Sequence, residues 1–255
     1  MQQFRPTRFE ILPLVVKNLL IINSIVFLAQ NVTIGESTIN EWFALHTWQS
    51  SFFKPWQFVT HMFMHGNFEH LFSNMLALWM FGSILENLWG PKRFLTFYVI
   101  CGLGAALCHM VVLYFGNEAM LAAFNSIPVH ADNSNINLTS YLAKYDTFQQ
   151  GDGSYNYAAM VRNTILAEAT LGASGAVFGC LAAFAYLFPN TYIYLYFFIP
   201  VKAKWMVLLY AGFEFFAGIR NSAGDSVAHF AHLGGALFGF LLVYFWNKNN
   251  RKNFF

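Results

Sequence analysis

Six stretches of this chain are apolar over roughly the length a helix needs to cross a lipid bilayer, and that narrows the fold more than any other feature. A spanning helix takes about 20 mostly apolar residues. Residues 11–29, 70–88, 94–115, 171–188 and 227–246 meet the requirement. Residues 204–219 form a shorter run that carries Glu214 and completes an even count. Inside lipid the backbone must satisfy its own polar groups, so such runs are helices. The expected fold is all-α: a polytopic six-helix membrane bundle in one domain, residues 1–255.

Composition agrees. The chain is 57% hydrophobic and 10% charged, against about 25% charged in soluble domains. One aqueous core could not hide that much apolar surface. Cys101, Cys108 and Cys180 sit inside apolar runs, so they are packing residues and not a disulfide framework. The net charge of +2 comes without a basic block, which argues against nucleic acid as a partner. The first apolar run lacks a small-residue cleavage site after it and is expected to stay as a span. With no targeting segment recognised, the expected setting is a bacterial inner membrane.

Two connections stand out. Residues 31–67 hold Trp42, Trp48 and Trp56, residues suited to the headgroup layer. Residues 116–168 are polar and too long for a turn, and are expected as an outer-side loop insertion. Placing the N-terminus inside puts Arg5, Arg8, Lys92, Arg93, Lys202, Lys204, Lys248, Arg251 and Lys252 on the inner side. Lys54, Lys144, Arg162 and Arg220 then lie outside. The excess inside predicts both termini in the cytoplasm.

In that orientation the second, fourth and sixth helices all run inward. Ser174 falls about three residues into the fourth, roughly 5 Å below its outer end. His232 falls early in the sixth, and His70 and Asn74 early in the second. Polar groups from three helices therefore share one depth near the outer face, where water can reach. Gly172-Ala-Ser-Gly175 with Gly179 and His232 with Gly235 and Gly239 are two glycine-faced segments. Small residues let helices approach closely, so a hydroxyl can meet an imidazole there. A histidine within about 3 Å can take a serine proton and make it a nucleophile. His229 competes as the base, three residues earlier on nearly the same face. His70 and Asn74, at i and i+4, and the Ser174 N–H are candidate donors to an oxyanion.

A second chemistry is legible in His61-Met-Phe-Met-His65, followed by His70. Three histidines with Glu69 or Glu86 could bind zinc, which would make a metal-dependent membrane hydrolase. That reading leaves the paired glycine segments around Ser174 and His232 unexplained. Glu86 and Glu214 are read as residues fixing helix ends or contacts, and His46 and His109 as structural.

Taken together, Gly172-Ala-Ser-Gly175, Ala231-His232 with Gly235 and Gly239, and His70 with Asn74 resemble the rhomboid family of intramembrane serine proteases. The resemblance covers roughly residues 11–247. It implies Ser174 as nucleophile and His232 as general base and acid, a dyad without an aspartate. His70, Asn74 and the Ser174 N–H would stabilise the oxyanion. It also implies transmembrane protein substrates, cut near the outer face at small residues in helices that unwind easily, with no metal or cofactor. Family members that have lost catalytic residues act as binding factors, but here both Ser174 and His232 are present. Helix 204–219, short and set between loops, is the candidate for the element that moves to admit substrate.

Three departures from the family pattern stand out. Phe178 takes the place of a tyrosine that commonly stacks on the catalytic imidazole. Trp56-Gln57 stands where a Trp-Arg pair is common. The segment 116–168 exceeds a minimal member.

Overall fold

The computed structural model describes residues 9–32, 36–125, 166, 169–195, 198–220 and 228–251. Its helices are α1 (Leu14–Val32), α2 (Glu36–Phe43), α3 (Gln57–Thr60), α4 (Phe68–Ala77), α5 (Ser83–Trp89), α6 (Pro91–Asn125), α7 (Ser174–Leu187), α8 (Ala203–Arg220) and α9 (His229–Arg251). The chain is mostly helical. It departs from the all-α expectation in two small antiparallel pairings, β1 (Leu45–His46) with β2 (Ala169–Thr170) and β3 (Tyr192–Leu195) with β4 (Ile199–Lys202).

Among the described residues, three helices are long and apolar enough to cross a membrane: Leu14–Asn31, Pro91–Glu118 and His229–Lys248. Ser174–Leu187 is apolar but shorter. Lipid as solvent explains what the outer faces carry. On α8, Leu209 and Phe216 are 71% and 72% exposed, which water would penalise and hydrocarbon does not.

The expected helix bounds shift for identifiable reasons. The first run, read as 11–29, is helical over Leu14–Val32. Its start is held by a carboxylate from another helix: Val15 N–H and Val16 N–H donate to Glu86 Oε1 and Oε2 at 2.9 and 2.8 Å. Those N–H groups have no acceptor within their own helix, so Glu86 caps α1, a helix-end role. The second run, read as one helix over 70–88, is α4, a π-helical turn at Leu78–Gly82, and α5. Asn67 starts α4 as its cap, accepting from His70 N–H at 2.7 Å. The third run, read as 94–115, extends over Pro91–Asn125. The first ten residues of the expected 116–168 loop are thus helical, and 126–165 and 167–168 lie outside the described residues. The charge-bearing Arg5, Arg8, Lys144, Arg162 and Lys252 also lie outside them, as does residue 227 of the sixth run.

The core gathers on α7. Every residue from Gly175 to Ala185 is buried, as expected of a helix that is apolar all round. It packs mainly between α6 and α9, where Phe97, Tyr98 and Cys101 of α6, Cys180 and Phe184 of α7 and Val243 of α9 share one cluster. Glycines set the spacing. A Cβ on Gly235 would collide with the Gly175 carbonyl oxygen, and one on Gly239 would meet the Gly179 carbonyl oxygen. These are backbone-to-backbone contacts that any side chain would break.

Candidate active site

Ser174 is the first residue of α7 and does not lie three residues inside it. The helix cannot start at 171, because Gly172 has φ 133°, a value that suits glycine and not a helix. Gly172 N–H donates to the His61 carbonyl at 2.9 Å, and β2 just before it pairs with β1 of the first connection. The serine is therefore presented from a loop tied on two sides to residues 45–61.

Ser174 Oγ and His232 Nε2 lie 2.9 Å apart. His232 is in the first turn of α9 and only 8% exposed. The ring of Phe178, one turn after Ser174, lies on the imidazole with centroids 4.2 Å apart and planes 5° from parallel. His232 is thus clamped between a stacked ring on α7 and a hydroxyl on the same helix.

Sequence reasoning left Glu214 as a contact residue and His229 as a competing base. The structure brings them together. Glu214, on α8, is 2% exposed. His229 Nδ1–H donates to Glu214 Oε2 at 2.6 Å. The same oxygen lies 3.0 Å from His232 Nδ1, at ion-pair distance but too oblique for an aligned hydrogen bond. His229 therefore faces the carboxylate, and His232 faces the serine. The signal was available: an acid inside an apolar helix needs a partner, and these two histidines are the polar groups nearest in sequence on the facing helix.

His70 reaches the serine loop from α4. A Cβ on Gly172 would sit 2.8 Å from His70 Cε1, 2.9 Å from its Nε2 and 3.5 Å from Ser174 Oγ. The missing side chain leaves a small hollow bordered by imidazole and hydroxyl. Asn74 is buried, and its Nδ2 has no hydrogen-bond partner among the described residues. The Ser174 N–H belongs to the first turn of α7, whose N–H groups have no intrahelical acceptor. The N-terminal ends of α4, α7 and α9 all meet here, and their dipoles favour negative charge.

The histidine cluster does not assemble as the metal reading required. Among the described residues no three His, Cys, Asp or Glu side chains are grouped to hold a metal ion. His61 Nδ1–H donates to the Gln57 carbonyl at 2.8 Å, His65 meets His70 ring to ring at 5.1 Å, Glu69 is exposed and Glu86 caps α1. Burial lowers the pKa of His61 to about 4 and that of His65 to about 3, so both are neutral at pH 7.

Gln57, the departure from Trp-Arg, organises the first connection. Fully buried, its Oε1 accepts from His46 N–H at 3.3 Å and Lys54 N–H at 3.1 Å. Its Nε2 donates to the carbonyls of Phe52 at 2.9 Å and Glu41 at 3.1 Å. An arginine could serve the carbonyls but not the N–H groups.

These features define a helical membrane protein with a buried polar site where the ends of three helices converge. Sequence comparison places it further: the chain belongs to the rhomboid family, whose rhomboid domain matches residues 53–127 and 138–249. It is 29% identical to "Rhomboid protein 1, mitochondrial" of Saccharomyces cerevisiae over 74% of this chain and 41% of that protein. It is 30% identical to "RHOMBOID-like protein 12, mitochondrial" of Arabidopsis thaliana over 70% of this chain and 42% of that one. "Rhomboid protease GluP" of Bacillus subtilis is 24% identical over 72% of this chain and 25% of its own length. The chain spans less than half the length of each of these relatives. Two of the three are mitochondrial by name, against the bacterial inner membrane expected from the sequence.

Proposed function

We propose that this chain is an intramembrane serine endopeptidase that cuts transmembrane segments of other membrane proteins. The observation that carries the reading is the 2.9 Å approach of Ser174 Oγ to His232 Nε2 in the interior of a helical bundle. Family membership and a relative named as a protease support it. In this reading His232 Nε2 takes the serine proton as Oγ attacks the scissile carbonyl. His70, Asn74 and the Ser174 N–H receive the oxyanion. The imidazolium then returns its proton to the leaving amine, and water repeats the sequence to free the acyl group. Asn74 Nδ2, buried without a partner among the described residues, is a donor held ready for that charge.

The reading extends to topology: α1, the broken α4–α5 segment, α6, α7, α8 and α9 would make six spans, with both termini inside and the site toward the outer face. A substrate helix shields its own peptide bonds, so segments that unwind easily and carry small residues would be preferred.

The test is cleavage of a model transmembrane substrate in detergent by wild type, Ser174→Ala and His232→Ala, each with and without a chelator. Two inactive variants and no chelator effect are expected. An active Ser174→Ala protein, or loss of wild-type activity to the chelator, would refute the reading.

A further inference from the structure

A dyad needs no third group, yet a carboxylate sits behind this one. We propose that Glu214 is a positioning residue that fixes the tautomer of His232, making the arrangement Ser174–His232–Glu214, with His229 as the carboxylate's second partner. The inference rests on the serine-protease reading above.

The geometry is specific to this role. Glu214 Oε2 lies 3.0 Å from His232 Nδ1, the ring nitrogen opposite the one facing Ser174. A contact that only joined α8 to α9 would be complete with His229, which already donates to that oxygen at 2.6 Å. Instead one buried oxygen faces both histidines. An ionised carboxylate carries no hydrogen to offer, so its charge 3.0 Å from Nδ1 favours the tautomer with hydrogen on Nδ1 and leaves the Nε2 lone pair toward Ser174 Oγ. A neutral imidazole without that neighbour is free to carry hydrogen on Nε2, where it cannot act as a base. During attack the Oγ proton moves to Nε2, Nδ1 keeps its own hydrogen, and the resulting imidazolium faces Glu214. No proton reaches the carboxylate.

The titratable groups facing this pair come from four elements. Tyr210 neighbours Glu214 on α8 itself, and His229 faces it from α9. His70 of α4 and His109 of α6 lie close enough to feel the charge of His232. Among the described residues Glu214 is the acidic group at ion-pair distance from His232.

The test is run on the full chain in detergent micelles, with nitrogen-15 histidine and steady-state cleavage. The His232 resonance, identified by its loss in His232→Asn, is expected in the Nδ1–H form in wild type. Glu214→Leu should shift it toward Nε2–H and lower kcat by about 10²- to 10⁴-fold, the usual range for a disabled general base, with KM nearly unchanged. Glu214→Gln, which keeps an oxygen of the same reach beside Nδ1 but loses the charge, should recover part of the rate. Wild-type His232 in the Nε2–H form overturns the proposal without any Glu214 variant having to fold. So does a Glu214→Leu kcat within twofold of wild type. Failure of the protease reading looks different: wild type cleaves nothing and a fluorophosphonate leaves Ser174 unlabelled, while the His232 tautomer still reports on Glu214.

Discussion

The rings of Phe178 and His232 lie 4.2 Å apart and within 5° of parallel, so the imidazole that faces Ser174 is held flat by a side chain one helical turn away from that serine. The phenyl ring makes this contact without the hydroxyl a tyrosine would add. Tyr210 of α8 meets the Phe178 ring at 4.9 Å with planes 48° apart, a tilted contact.

Phe178→Leu should therefore lower kcat/KM for a model substrate by about 2- to 10-fold, the worth of one aromatic pair, while Phe178→Tyr stays near wild type. A Leu variant of unchanged rate would mean that the stack does not orient the imidazole.

Gly235 faces the Gly175 carbonyl with no room for a methyl group. Gly235→Ala must push α9 off α7, and overpacking of this kind costs typically about 1–3 kcal/mol. A lower thermal midpoint in detergent and loss of cleavage should appear together. Gly212→Ala on α8, where a Cβ meets nothing within 4 Å, is the matched control and should leave the midpoint unchanged.

Gln57→Leu removes the acceptor for His46 N–H and Lys54 N–H and the donor to two carbonyls. Each polar group stranded in the interior costs about 1–3 kcal/mol, so the variant should unfold at clearly lower temperature. Gln57→Glu restores the acceptor but sets a buried carboxylate against those carbonyls, and should not recover the loss.

The buried histidines of the first connection predict acid sensitivity. The folded-state pKa of His61 is depressed to about 4 and that of His65 to about 3, against about 6.5 in an unfolded chain. Below pH 6.5 the unfolded chain binds protons that the folded chain refuses, so stability falls as pH drops from 6.5 toward 4. For His61 alone the loss approaches about 3 kcal/mol. His61→Gln should flatten the dependence of the thermal midpoint over that window; an unaltered slope would contradict it.

What the sequence made legible was whatever depends on local spacing. Apolar run length located the helices, and the glycines at 175, 179, 235 and 239 marked the faces that meet, which is how Ser174 and His232 could be paired before any coordinates. Helix starts were less legible, because they depend on long-range acceptors: Glu86 caps α1 from about 70 residues away, and the positive φ of Gly172 delays α7. The π-helical turn at Leu78–Gly82 interrupts a pattern that reads as one helix. Glu214 reads from sequence as a residue fixing a helix end or contact, and which oxygen faces which histidine is decided by how α8 lies on α9. Gln57 looked like a departure and is a hub, since its value comes from the path of a loop that has no periodicity to read.

The glycine crossing of α7 and α9 has a mechanical consequence. Side chains at most helix contacts act as cushions that can change rotamer and absorb small displacements. Here that layer is absent, and carbonyl oxygens of one helix rest against the alpha carbons of the other. The spacing of the two helices that carry Ser174 and His232 is therefore set by backbone dimensions, which hardly vary, and not by side-chain repacking, which does. Substitutions in the surrounding core can loosen the bundle considerably before this spacing responds.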